Sequence, residues 1–147
     1  MKRNVLFVAL FALLATLSAT QAFARDTVAN YPVAPALQSE PGKVSDDVAL
    51  YFAGQPHPAV EKTMGEFATN KKTNAFGKSD LEACQHVFLS AVIELQERAR
   101  KEGGNAVINI KSNYKNEVRE SATEFTCGAG AVIAGVALKG DVVTLRK

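Results

Sequence analysis

The 147-residue chain has no tryptophan, only two cysteines and two histidines, and no large excess of either charge. Without an indole it lacks the ring favoured in aromatic platforms for sugars and bases. The cysteines, Cys84 and Cys127, are far apart, so the C-x-x-C spacing of a redox-active pair is missing. Two histidines do not make a metal site, which needs three or four ligands in a defined geometry. The one long apolar run, Val5 to Leu17, falls short of the roughly 20 residues that a membrane-spanning helix requires.

That run reads instead as an export signal. Lys2 and Arg3 precede it, and Ala22-Phe23-Ala24 supplies a small-x-small cleavage pattern, with no cysteine nearby for a lipid anchor. Residues 1–24 are therefore expected to be a cleaved signal peptide, with Arg25 as the first mature residue and the periplasm or the exterior as destination. Without Lys2 and Arg3, the 17 basic residues fall to 15, equal to the 15 acidic ones. A neutral mature chain with dispersed lysines and arginines argues against nucleic acid and against an anionic membrane as partner. No stable membrane insertion is expected after cleavage.

Residues 25–47 hold Pro32, Pro35 and Pro41 and are expected to be a flexible lead-in, with Tyr31 to Leu37 as a patch able to dock. Residues 48–147 are expected to form a single α+β domain. Val48 to Phe52 has strand character, Lys62 to Thr69 is a weaker strand, and Asn70 to Lys78 reads as a polar loop. The clearest element is a helix from Asp80 to Lys101. Ser79 and Glu82 have capping-box spacing, Gly103-Gly104 supplies the stop, and Leu81, Cys84, Val87, Phe88, Ala91, Val92, Leu95 and Ala99 form one apolar stripe.

Asn105 to Ser112 follows as a strand with Ala106, Ile108 and Ile110 on one face. Glu120 to Cys127 and Ala129 to Leu138 are further strands, separated or bent at Gly128 and Gly130. Val142 to Leu145 closes the chain after a turn at Lys139-Gly140-Asp141. The expected fold is one long amphipathic helix packed on a mostly antiparallel sheet of about five or six strands.

In an oxidising compartment Cys84 and Cys127 have one intramolecular pairing available, and a structural disulfide is expected between them. Glu82 and His86, one helical turn apart, are the weak candidates for a metal-binding pair; His57 sits between two prolines in a loop. No Ser/His/Asp or Cys/His set is present, because a disulfide consumes both thiols. The run from Gly128 to Gly135 is glycine-rich but lacks the strand–turn–helix context of a nucleotide loop, so its small residues are read as sites of close approach to a strand. No cofactor is expected.

Several stretches carry a resemblance: Cys84 to Ala91, Leu95 to Ala99, Gly103 to Ile110, Ala122 to Cys127 and Gly130 to Gly140. Together, over about Lys71 to Leu145, they resemble a family of small exported bacterial proteins of unknown function, often labelled as an excinuclease ATPase subunit. The label conflicts with this chain, which has neither a phosphate-binding loop nor zinc-finger cysteines. More distantly, the helix and the two strands around it are similar to the sensor lipoprotein of the Rcs envelope-stress relay and to YbjQ-like proteins described as heavy-metal-binding. Those resemblances imply a small α+β fold with a helix against a sheet.

The expected function is that of a non-enzymatic cell-envelope interaction module with an envelope protein as partner. The alternative is a periplasmic small-molecule or metal-ion binding protein using His86 and Glu82. A third option, an enzyme built on Asn105, Asn109, Tyr114 and Glu124, requires those residues to share a deep pocket. The oligomeric state is left open, because an edge strand in the β-rich half is able to pair with another copy.

Overall fold

A computed structural model describes residues 25–147; the expected signal peptide, residues 1–24, lies outside the described residues. The elements run β1 (Asp26–Pro32), α1 (Val33–Gln38), β2 (Ala49–Phe52), β3 (Val60–Asn74), α2 (Asp80–Glu102), β4 (Ala106–Ser112), a short 3-10 turn (Tyr114–Asn116), β5 (Glu124–Gly130) and β6 (Ile133–Leu145). The architecture is α+β, with one long helix against a curled, mixed, six-stranded sheet.

Helix α2 forms where its ends and its stripe ask for it. Ser79 stays extended and its hydroxyl accepts the Glu82 N–H at 3.1 Å, satisfying one of the donors left open at a helix start. Gly103, at φ +79°, takes the left-handed conformation that stops the helix, and its N–H donates to the carbonyls of Ala99 and Arg100. Ala83, Cys84, Val87, Phe88, Ala91, Val92, Leu95 and Ala99 are buried against the sheet, whereas Leu81, expected on the stripe, is 48% exposed in the first turn. The Phe88 ring stacks on Phe125 with centroids 4.0 Å apart and meets Phe52 at 6.0 Å, so the helix is keyed to both β5 and β2. The Cys84–Cys127 disulfide, with Cα atoms 5.9 Å apart, joins α2 to β5 in the same buried layer.

Strand β6 organises the sheet. Along one edge it pairs with β3, from Val60↔Leu145 to Asn74↔Ile133. Along the other it pairs first with β5, at Gly128↔Gly135 and Ala129↔Ala134, and then with β4, from Ser112↔Leu138 to Ala106↔Val143. Strand β5 thus peels away from β6 and carries β1 outward, which curls the sheet. Strand β2 runs parallel to β4, so the expected mostly antiparallel sheet is corrected to a mixed one. The reason is the connection: between β2 and β4 the chain crosses by way of β3 and α2 and returns in the same direction.

Residues 25–47, expected as a lead-in, contain two elements of the fold. Strand β1 pairs antiparallel with β5 in one unbroken register, Asp26↔Gly130 to Pro32↔Glu124. Pro32 ends that strand and precedes α1, whose Val33 and Ala36 are buried in the core next to the docked ring of Tyr31. The following loop is pinned by Gln96, which is 1% exposed. Its side-chain amide donates to the carbonyls of Ser45 and Val48, at 2.7 and 2.8 Å, and its oxygen accepts the Ser45 N–H at 3.2 Å.

Three other expectations change. Lys139-Gly140-Asp141 is no turn but the middle of the 13-residue β6, and Gly128 and Gly130 lie inside β5. Gly140 is bare because a Cβ there would stand 2.8 Å from Val107 Cγ1 and 3.2 Å from the Ile108 carbonyl. In β4, Ala106 and Ile108 share a small cluster with Val143 and Leu145, but Ile110 joins Val107 in the main core beneath α2. A bulge at Asn109, with φ +52°, slips the register between Ile108 and Lys111 and turns the strand over.

Candidate functional site

Helix α2 covers one face of the sheet. On the opposite face the Gly128↔Gly135 pairing sets small residues side by side: Gly128 and Gly130 from β5, Gly135 and Ala137 from β6. Cys127, Ala129, Ala134 and Val136 alternate with them and point to the helix side, as the two-residue strand period requires.

Tyr114 lies across this floor. The turn that presents it is anchored to β6 by the Asn113 N–H, which donates to the Ala137 carbonyl at 2.8 Å. It is closed by Asn116 N–H to Asn113 C=O (3.1 Å) and Glu117 N–H to Tyr114 C=O (3.0 Å), with Lys115 and Asn116 left-handed at φ +52° and +61°. A Cβ on Gly128 would stand 2.9 Å from Tyr114 Cε1 and closer still to Cζ and the hydroxyl; one on Gly135 would stand 3.6 Å from Cε2. The phenol therefore occupies the space that the two glycines leave. No hydrogen bond engages its hydroxyl among the described residues.

An open trough of about 450 Å³ surrounds the ring. Arg25, Lys72 and Lys115 supply three cations around it, and Asp26 one carboxylate. Lys115 Nζ lies 3.4 Å from Asp26 and 5.5 Å from the Tyr114 ring centroid, a cation–π arrangement. Arg25 is bonded to Asp80 and reaches the Gly130 carbonyl at 3.5 Å, while Lys72 has no ion-pair partner among the described residues. At the tip of the β5–β6 hairpin, Val132 and Ile133 are 58% and 55% exposed. The trough thus offers an aromatic face, an apolar end and an excess of positive charge.

The other residues singled out by the sequence go elsewhere. Glu82 and His86 line a smaller depression of about 290 Å³, where His86 Nδ1 lies 2.5 Å from Glu40 Oε1. Glu40, 46 residues away in sequence, is the neighbour that sequence reasoning missed. No group of three histidine, cysteine or acidic side chains among the described residues is placed to hold a metal ion. His57 packs against Tyr51, with ring centroids 5.7 Å apart. Cys84 and Cys127 are bonded to each other and fully buried.

Of the four polar residues considered for catalysis, only Tyr114 faces the trough. The Asn105 side chain bridges the N–H and C=O of Leu145, at 2.8 and 3.1 Å. Asn109 sits in the β4 bulge beside Asp141, and Glu124 lines a separate polar depression with Arg119 and Ser112. The cations of the trough were not legible in advance, because Arg25, Lys72 and Lys115 are far apart in sequence. The glycines gave the one usable sign, since small residues at alternating strand positions mark a single face.

No helix among the described residues is long and apolar enough to cross a membrane, and the disulfide is compatible with an extracytoplasmic location. No protein-family model matches the chain, and no curated protein or solved structure matches it.

Proposed function

We propose that the protein is a non-enzymatic interaction module of the cell envelope, exported and stapled by its disulfide, which holds an extended acidic segment of a partner protein in the trough over Tyr114. The observation that carries this reading is the Tyr114 ring spread over Gly128 and Gly135 among three cations, with Val132 and Ile133 exposed at one end. An aromatic face suits an apolar side chain of the partner, and the cations suit its carboxylates. The dispersal of Asn105, Asn109 and Glu124 away from Tyr114 favours binding over catalysis, because a reaction needs its polar groups convergent on one atom. The resemblance to small exported bacterial proteins agrees with the export signal.

The test is site-specific photo-crosslinking in cells, with a photoreactive residue at Val132 and, as control, at Lys101 near the end of α2. The expected result is a discrete protein adduct at Val132 only, lost in the Tyr114→Ala variant. Equal labelling at both positions, or none at Val132, would overturn the proposal. A small anionic molecule is the second reading, favoured by a trough volume within the usual 300–1,000 Å³ range of ligand sites. It predicts no protein adduct, but a co-purifying small mass in native mass spectrometry that Tyr114→Ala removes.

A further inference from the structure

Strand β3 is an edge. It pairs with β6 alone, and among the described residues no strand occupies its other side. Its first part is irregular, with register shifts at Val60/Lys62 and Thr63/Gly65 and a φ of +121° at Gly65. From Gly65 to Asn74 the register with β6 is constant. Alternate residues of that stretch turn their N–H and C=O groups outward, the arrangement that accepts another strand. The register shifts that interrupt the edge end at Gly65, and the guards of the later part are its charges, Glu66, Lys71 and Lys72, which a partner strand must match.

We propose that two copies of the chain pair β3 to β3, antiparallel, about a two-fold axis through Thr69. The register follows from geometry and charge. A two-fold axis that joins two antiparallel strands in one sheet stands perpendicular to that sheet, so opposed residues must share a face. The axis therefore passes through a residue and not between two. An axis at Thr69 sets Glu66 of each copy against Lys72 of the other, making two opposite-charge pairs, and sets Phe67 against Lys71 and Ala68 against Asn70. An axis at Ala68 would oppose Glu66 to Asn70 and Lys72 to Met64. An axis at Asn70 would oppose Glu66 to Asn74 and Lys72 to Ala68. Of these three, only the Thr69 register neutralises both charges.

The side chains are free to meet. Glu66, Ala68, Asn70 and Lys72 are all exposed, and Ala68 beside the axis is too small to bar a second strand. Within its own chain Glu66 has one long contact, Lys139 Nζ at 3.7 Å, which leaves its second oxygen open. On the helix side, Lys71 is held 3.5 Å from Glu94 and Arg98 sits 4.4 Å over the Phe67 ring, so those side chains are already ordered. Because the axis is perpendicular to the sheet, both troughs open on the same face of one continuous sheet; Lys72 lines the trough, so its pairing with the opposed Glu66 lowers the positive charge that each trough offers to an acidic segment.

Sedimentation equilibrium of the exported protein, with its disulfide intact, tests the pairing. The wild type should show a reversible monomer–dimer equilibrium. Glu66→Lys or Lys72→Glu alone opposes like charges twice in the dimer and should weaken it by about tenfold. An equimolar mixture of the two variants should restore dimerisation as a heterodimer, because every opposed pair is then Lys with Glu. Hydrogen exchange of the wild type should show amides in residues 65–73 gaining protection as concentration rises, a readout that needs no variant to fold. A wild type that remains monomeric throughout, or a dimer whose affinity ignores both charge reversals, would overturn the proposal.

Discussion

Gly128→Ala isolates the contact on which the trough depends. Gly128 is not among the residues with positive φ, so alanine meets no backbone strain there. In an ordinary strand interior the change would stabilise by about 0.5–1 kcal/mol, because glycine loses more chain entropy on folding. Here the new methyl would stand 2.9 Å from Tyr114 Cε1 and nearer to Cζ and the hydroxyl, inside normal contact distance. Either the ring leaves the floor or the strand shifts, and overpacking of this kind costs about 1–3 kcal/mol. The Asn113–Ala137 hydrogen bond anchors the turn, so the ring cannot simply drift away with its backbone. The single variant should therefore lose roughly 1–2 kcal/mol. In a Tyr114→Ala background the obstacle is gone and the sign should reverse to a gain of about 0.5 kcal/mol. A double-mutant cycle by urea denaturation, followed by circular dichroism, should give a coupling of about 1.5–2.5 kcal/mol. If the two substitutions add to within about 0.5 kcal/mol, the ring does not rest on Gly128 and the trough described here is wrong.

Replacing both cysteines, Cys84→Ala with Cys127→Ala, opens a 43-residue loop and should lower unfolding free energy by about 4 kcal/mol on the chain-entropy account; a loss under about 1 kcal/mol in urea would refute the staple. Gln96→Leu keeps the volume but strands the Ser45 N–H and the carbonyls of Ser45 and Val48, so a loss of about 2–4 kcal/mol is expected, with faster hydrogen exchange in residues 45–48 as the local sign. The Arg100 guanidinium, bonded in two places to Asp47 at 2.7 and 2.8 Å, and then the Ser45 hydroxyl, hold the Asp47 carboxyl well below the usual aspartate range. Since the folded-state value is depressed, the contribution to stability is complete above the unfolded value near pH 4 and is lost only as pH falls toward the folded one. Carboxyl-detected NMR should find Asp47 still ionised where a free aspartate side chain is half protonated, and Arg100→Ala should raise its midpoint toward that of the free side chain.

What was legible in the sequence follows a physical pattern. Helix α2 was read to within one residue of its C-terminal end, since its cap, its stripe and its glycine stop are all local chemistry. Strand β1 was not read, because a half-open edge strand of Asp, Thr, Asn and Pro shows no apolar alternation, and its partner β5 lies about 100 residues on. The second half of β3, expected as a polar loop, is strand for a similar reason: Asn70, Lys72 and Asn74 face the open side, so polarity there signals exposure and not a turn. Gly140 was misread as a turn residue because glycine serves turns and close approaches alike, and only the neighbouring Val107 decides between them.

The candidate site divides in the same way. The glycine run is read as a place where a helix or neighbouring backbone approaches a strand; backbone does come close at Gly130, where a Cβ would stand 3.0 Å from the Arg25 carbonyl, but the approaching group at Gly128 is a tyrosine ring. Tyr114 itself was noticed only as a polar residue. By itself the sequence determined the long helix, its limits, its buried stripe and the cysteine pair that had to meet if the chain is oxidised, because periodicity, capping and cysteine count need no knowledge of distant neighbours. The tertiary structure alone decided that β2 and β4 run parallel, that Asn109 turns β4 over, that Arg25, Lys72 and Lys115 gather round Tyr114, and that β3 is left as an edge. Each of these depends on strand partner and register, which are set by contacts between residues tens of positions apart, and no local pattern encodes them.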